Sequence, residues 1–200
     1  MLAVAGGKGG CGKTTITLGV ATALARQGMD PLVVDADTDM PDVHIRTEIE
    51  PGRTADAVSA GDPVESVAQR WPAVPSVRIV PAGSAGTLRD ALVRLESWHG
   101  PVLVDCPGGA GIDATRPLTA CAQTLLVTTD TEQSIRDGVK TAAMARELNA
   151  PPVGTIVRGQ PENAETWLAA EPIHSVPQLA TDAPLDHPLF QETCRSISEV

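Results

Sequence analysis

Lysine is scarce in this 200-residue chain: of fifteen basic residues only Lys8, Lys13 and Lys140 are lysines, against twenty-five acidic residues and a net charge of −10. With no basic run, direct DNA binding is disfavoured, because non-specific affinity for nucleic acid rests on neutralising phosphates with Lys and Arg. No apolar run approaches the roughly 20 residues needed to cross a bilayer. The four cysteines, Cys11, Cys106, Cys121 and Cys194, contain no C-x-x-C pair, and His44, His99, His174 and His187 are scattered. That spacing argues against a zinc site and a disulfide framework, and leaves buried or loop thiols in a reducing compartment as the expectation. The apolar opening, Met1-Leu2-Ala3-Val4, is too short for a signal peptide, so a cytoplasmic location is expected. Internal repeats and low-complexity tracts are also missing.

What is present is concentrated near the front. The run Gly7-Lys8-Gly9-Gly10-Cys11-Gly12-Lys13-Thr14 fits G-x-x-x-x-G-K-[ST] without a mismatch, and Thr15 follows. It leaves a short apolar strand and opens a segment with helical spacing at Ile16, Val20, Ala23 and Leu24. Strand, glycine loop and helix together make a phosphate-binding loop. The glycines allow backbone N–H groups to converge on an anion. The helix beginning near Thr14 aims its positive dipole end at the same point. Lys13 is placed to neutralise the terminal phosphates, and the Thr14 hydroxyl to enter a Mg2+ shell. Cys11, at the variable position, reads as a small spacer rather than a redox switch.

Apolar β-type runs recur near 1–5, 31–35, 77–81, 102–104, 124–128, 153–157 and 173–176. Helical patterns lie at about 14–27, 86–97, 131–148, 162–170 and 187–198. The alternation predicts an α/β fold, a doubly wound and mostly parallel sheet with helices on both faces. The length suits one domain over 1–200 with its ligand at the C-terminal ends of the strands.

The second lysine in the loop carries a resemblance. K-G-G-x-G-K-T-T is similar to the deviant Walker A motif of the MinD/ParA (SIMIBI-class) P-loop ATPases. The resemblance implies ATP and Mg2+ as cofactors and an ATP-dependent homodimer, with Lys13 acting in its own subunit and Lys8 crossing to the partner's nucleotide. Other stretches match in order. Val33-Val34-Asp35-Ala36-Asp37 resembles the family's D-x-D switch I entry, with Asp37 at the water-orienting position. Asp39 and Asp42 follow, so four carboxylates lie within eight positions, a crowding that Mg2+ or the loop lysines must offset. A solvent-facing acidic loop is the alternative for Asp39 and Asp42. Met40-Pro41-Asp42 departs from the Asn that family members often carry there. Val102-Leu103-Val104-Asp105 has the Walker B form, which assigns Asp105 to Mg2+, and Pro107-Gly108-Gly109 resembles switch II.

Ser134-Ile135-Arg136-Asp137 resembles a segment of MinD-type proteins, and Arg136 and Asp137 are candidates for a structural or interface role. Lys140 and Arg146 read as solvated helix charges. Val77-Arg78-Ile79-Val80-Pro81-Ala82-Gly83 and 173–188 match more loosely. After the strand 152–157, relatives place an Asn that reads adenine, whereas this chain has Arg158. The matching leaves gaps at 45–75 and 158–172. The paired cluster cysteines of nitrogenase iron protein and the C-x-x-C of the Mrp-type carriers are missing.

By resemblance, then, the chain is a slow, partner-stimulated ATPase that dimerises on ATP and positions a cellular structure such as division, motility or chemosensory machinery. The combined metal set is Thr14, Asp37 and Asp105. A degenerate nucleotide-dependent binding module without turnover and a ParA-type partitioning ATPase stay open as alternatives. The tail Phe190–Val200, with one Arg and two Glu, makes a poor membrane helix and is expected to cap the domain, leaving membrane or pole recruitment to an unidentified protein partner. The acidity and the preference for Arg over Lys resemble proteins of a high-salt, haloarchaeal cytoplasm, where screening removes self-repulsion. An ordinary acidic bacterial protein is the alternative.

Overall fold

The computed structural model describes residues 1–7, 9–160 and 173–176. Its frame is an eight-stranded sheet in the order β3-β4-β2-β5-β1-β6-β7-β8. The strands are β1 (Leu2–Ala5), β2 (Leu32–Asp35), β3 (Gln69–Trp71), β4 (Val74–Val80), β5 (Val102–Asp105), β6 (Gln123–Thr129), β7 (Pro152–Arg158) and β8 (Ile173–Val176). All neighbouring pairs are parallel except β3 with β4, which form an antiparallel edge. β1, β2 and β5 are buried along their whole length, as strands covered on both faces must be.

Side-chain alternation divides the core in two. On one face Val4, Val33, Leu103, Leu125 and Ile156 pack with Ile16, Val20 and Leu24 of α1 (Lys13–Arg26). On the other, Ala3, Val34, Val80 and Val104 meet α3 (Ala55–Ser59), α5 (Leu88–Leu95) and α6 (Ile112–Thr119). α7 (Glu132–Glu147) packs on β6 and β7, where Ile135 and Ala142 join Leu126 and Val157 in a third cluster. α5 buries Leu88, Ala91, Leu92 and Leu95, the i, i+3, i+4, i+7 stripe of an amphipathic helix. The Thr131 hydroxyl caps α7 by accepting from the Ser134 N–H.

The parallel strands and the helices α1, α5 and α7 lie where the sequence pattern puts them. Between β2 and β4 the pattern gives no sign of four short elements: α2 (Val43–Arg46), α3, α4 (Val64–Val67) and the strand β3. Each is five residues or shorter, too little for a period to register. α6 was also missed; it spans eight residues and contains Pro117, which masks its pattern. The helices expected at 162–170 and 187–198 lie outside the described residues, as does Lys8.

The parallel order fixes the functional edge. β1 sits between β5 and β6, so the loop that leaves it opens where β2, β5, β6 and β7 all end. Asp35 and Asp105 are direct partners in the β2–β5 register and close their strands together.

The stripe on α5 gives a paired test. Leu92→Ala, at a fully buried position, is expected to lower stability by about 2–5 kcal/mol in denaturant unfolding. Val93→Ala, one residue on and 56 % exposed, should change it by less than about 0.5 kcal/mol. Equal effects would contradict the assigned face.

Candidate functional site

The loop after β1 is built by close approach as well as by turning. A Cβ on Gly7 would lie 2.2 Å from Cβ of Asp137, so the loop and the first turns of α7 meet at a position only glycine fills. Gly12 precedes α1 with φ +96°, and a Cβ there would also meet the Arg158 guanidinium. Gly10 has positive φ as well, while Gly9 does not. Cys11 is buried against Gly6, as a spacer would be. No described side chain caps α1, and its first-turn residues Lys13, Thr14 and Thr15 line a cleft of about 570 Å³. The orphan N–H groups of that turn are therefore at the cleft's floor.

Opposite the loop stands a group of carboxylates. Thr14 Oγ1 lies 2.7 Å from Oδ2 of Asp105 and 2.7 Å from Oδ1 of Asp42. Thr17 donates to Oδ1 of Asp105 at 2.9 Å. Asp35 is fully buried and accepts the N–H groups of Asp37 (3.1 Å) and Val43 (3.2 Å), which folds switch I back over the strand end. Asp37 lines the cleft and accepts the Met40 N–H at 3.0 Å. Arg46 pairs with Asp42 at 2.9 Å and reaches Thr15 Oγ1 at 3.4 Å, so α2 is tied across both loop threonines. Gly109 of switch II donates to the Gly6 carbonyl at 3.1 Å.

Burial dominates the electrostatics. It raises the Asp35 carboxyl to about 7, with the neighbouring Asp105 charge adding to it and the two N–H bonds opposing it. Burial likewise raises Asp105 to about 6, opposed by the Thr14 and Thr17 hydroxyls and by Lys13. The same cause pushes Cys106 well above its usual range and Cys121 up to about 12, which makes both inert thiols.

A hard divalent cation fits this donor set. A single hydroxyl carries one proton yet faces two carboxylate oxygens at hydrogen-bond distance, so an all-oxygen corner with surplus negative charge sits beside Thr14. Thr14 and Asp105 would hold Mg2+ there, with Asp37 across the cleft.

Of the expected site residues, Gly9, Gly10, Gly12, Lys13, Thr14 and Thr15 line one cleft with Asp37 and Asp105, while Gly7 packs on α7 and Cys11 is buried. Of the two residues for which a solvent-facing acidic loop is the alternative, Asp39 is exposed, whereas Asp42 is half-buried, accepts from the Thr14 hydroxyl and pairs with Arg46. Asp35, Thr17, Arg46 and Arg158 are the neighbours that sequence reasoning left outside the site. The apolar run ending in Asp35 was a usable signal for the first, and the i, i+4 spacing of Asp42 and Arg46 for another. Asp137 accepts from Gln133 and from Lys140, whose side chain stays largely exposed as a solvated helix charge does.

A raised carboxyl sets the sign of a pH effect. Asp35 stabilises the metal-free fold below its unfolded value of 3.8, and that contribution is lost as pH rises through about 7. In chelator-treated protein the thermal midpoint should fall by at least about 2–4 °C, the equivalent of 1 kcal/mol, between pH 5 and pH 8. Asp35→Asn should flatten that fall. A midpoint that rises over the interval would contradict the electrostatic account.

Residues 2–183 match the CobQ/CobB/MinD/ParA nucleotide binding domain. The chain is 27% identical over 186 residues to an uncharacterized ATP-binding protein of Methanocaldococcus jannaschii, covering 88% of this chain and 69% of that one. It is 32% identical over 151 residues to the antiactivator FleN of Pseudomonas aeruginosa, covering 68% and 53%. Against the septum site-determining protein MinD of Synechocystis it is 23% identical, covering 78% of this chain and 62% of that one. The chain thus spans between about half and two thirds of the length of these relatives. Its fold superposes on the crystal structure of the Pyrococcus furiosus cell division ATPase MinD with a TM-score of 0.83 at 21% identity, covering 99% of this chain and 98% of that one. Pyrococcus horikoshii MinD, solved with Mg-ADP, gives 0.79 at 20% identity, covering 98% and 87%. On the match over residues 2–183, the chain belongs to the CobQ/CobB/MinD/ParA family of nucleotide-binding domains.

Proposed function

We propose that the chain is a Mg-ATP-driven switch that binds ATP in the strand-end cleft, pairs with a second copy across the triphosphate, and resets by slow hydrolysis. The observation that carries this reading is the Thr14 hydroxyl between two carboxylates at the start of α1, on the same cleft as Asp37. The first-turn N–H groups and Lys13 bind the phosphates, and Thr14 and Asp105 hold the metal. Held there by Thr14 and Asp105, Mg2+ would supply positive charge to offset the phosphates and the carboxylates. Asp37 orients the attacking water, and Lys8 reaches the partner's nucleotide.

A role in positioning or recruitment is supported by the relatives' names. They include an antiactivator, a septum site-determining protein and a chromosome partitioning protein of Caulobacter vibrioides, each named for its effect on other machinery. A complex of MinD with MinC is known from Aquifex aeolicus. The switch proposed for this chain likewise acts through a protein partner. No described helix is long and apolar enough to cross a membrane. One observation favours a second reading, a nucleotide-dependent binding module without turnover: Asp42 occupies the Thr14 hydroxyl and is braced by Arg46.

Phosphate release separates the two. Asp37→Ala is expected to cut Mg-ATP turnover by at least about 100-fold while ATP binding persists. Unchanged turnover would remove Asp37 from the chemistry, and no turnover in the unmodified protein would select the binding module. Lys8→Ala is expected to bind ATP as a monomer and to fail to dimerise in light scattering. A variant that dimerises normally would exclude the trans role.

A further inference from the structure

A second cavity, of about 540 Å³, opens at the other end of the strands, where β2 and β5 begin. The turn before β2, α4, β4 and the turn before β5 wall it. Those walls are fixed to one another. Trp98 donates its indole N–H to the Asp30 carbonyl at 2.8 Å. A Cβ on Gly100 would stand 2.0 Å from that carbonyl oxygen and 3.0 Å from the indole nitrogen, so the two turns close together at a place only glycine fills. With its N–H committed, the Trp98 ring offers the cavity apolar surface.

Arg78 is the charged wall. Val77 and Ile79 pack in the core on the α1 side, so alternation along β4 sends the Arg78 side chain to the opposite face, where it lines this cavity. Its backbone N–H is held by the Pro31 carbonyl at 2.9 Å, and its side chain is half-buried. Among the described residues the guanidinium has no hydrogen-bond or ion-pair partner. A cation withdrawn from water without a partner costs stability, and its fork of five donors matches a carboxylate.

Glu65 and Asp30 line the same cavity, both exposed, and neither closes on Arg78 in an ion pair. Charges of both signs thus share one space with room between them. A multiply charged anion such as phosphate meets two carboxylates there and is disfavoured. A small molecule that carries one charge of each sign satisfies both walls. Met29 and Pro101, half-buried beside the Trp98 ring, supply an apolar remainder. We propose that this cavity binds a free amino acid with an apolar side chain. Its carboxylate pairs with Arg78, its ammonium faces Glu65 and Asp30, and its side chain lies on Trp98. The site is separate from the nucleotide cleft and does not rest on the reading of that cleft.

The test is calorimetric titration of the full chain with L-phenylalanine, L-leucine, N-acetyl-L-phenylalanine, L-phenylalaninamide and inorganic phosphate. It is repeated on Arg78→Gln and on the exposed-site variant Glu65→Gln, with folding checked by circular dichroism. L-phenylalanine or L-leucine should bind saturably. Blocking either the ammonium or the carboxylate of phenylalanine should weaken binding by at least about tenfold, as should Arg78→Gln. Glu65→Gln should weaken the free amino acid while leaving the N-acetyl form unchanged. Absence of binding by both amino acids overturns the inference, and so does binding that survives Arg78→Gln. Equal binding of the N-acetyl form also overturns it, because the cavity would then read a carboxylate alone, as at the end of a peptide. Tighter binding of phosphate than of either amino acid would exclude the zwitterion as well.

Discussion

The burial of Asp35 and Asp105 side by side is the constraint on which the site turns. Both end apolar strands that pack on each face, so their carboxylates are drawn out of water by the same core that forms the sheet. Burial without full compensation is costly, and the surrounding structure is arranged around reducing that cost. Two N–H groups of switch I are committed to Asp35, which sets the path of residues 37–43 and delivers Asp42 to the loop. Two hydroxyls of α1 are committed to Asp105, which ties the start of that helix to the end of β5. The residual negative charge is what makes the corner receptive to a cation and, through it, to a polyphosphate.

A second tie runs on the other side of the loop. Gly7 packs on Asp137, and Asp137 is held by Gln133 and Lys140 of its own helix. The loop is therefore clamped between α7 and switch II, whose Gly109 N–H reaches Gly6. A change at the cleft has direct mechanical routes to α2 through Asp42 and Arg46, to switch II through Gly6, and to α7 through Gly7. A nucleotide-dependent switch needs such elements to move with its ligand.

The parallel frame was legible in the sequence because its strands are short apolar runs and its longer helices, α1, α5 and α7, carry a clear period. The phosphate loop was legible because glycine, lysine and threonine at those spacings have a single physical use. Segment 45–75 was not: helices of four or five residues are held by tertiary contacts, as α3 is by the Asp56 carboxylate that accepts from Ser84 and Thr87. The roles of Asp42 and Arg46 depend on how far the loop after β2 folds back onto the buried Asp35, which brings Asp42 to Thr14, twenty-eight residues earlier in the chain. Arg158 was visible as a departure from the family's pattern, while its approach to Gly12 required the register of β7 beside β6.

The central claim is that a metal-bound nucleotide offsets the buried carboxylate pair. Calorimetric titration of ATP, with Mg2+ and with chelator, in two buffers of different ionisation heat near the raised values of Asp35 and Asp105 tests it most directly. The account predicts tight binding only with Mg2+, accompanied by proton release that Asp35→Asn diminishes. Binding of equal strength in chelator, or a proton release identical in that variant, would contradict it.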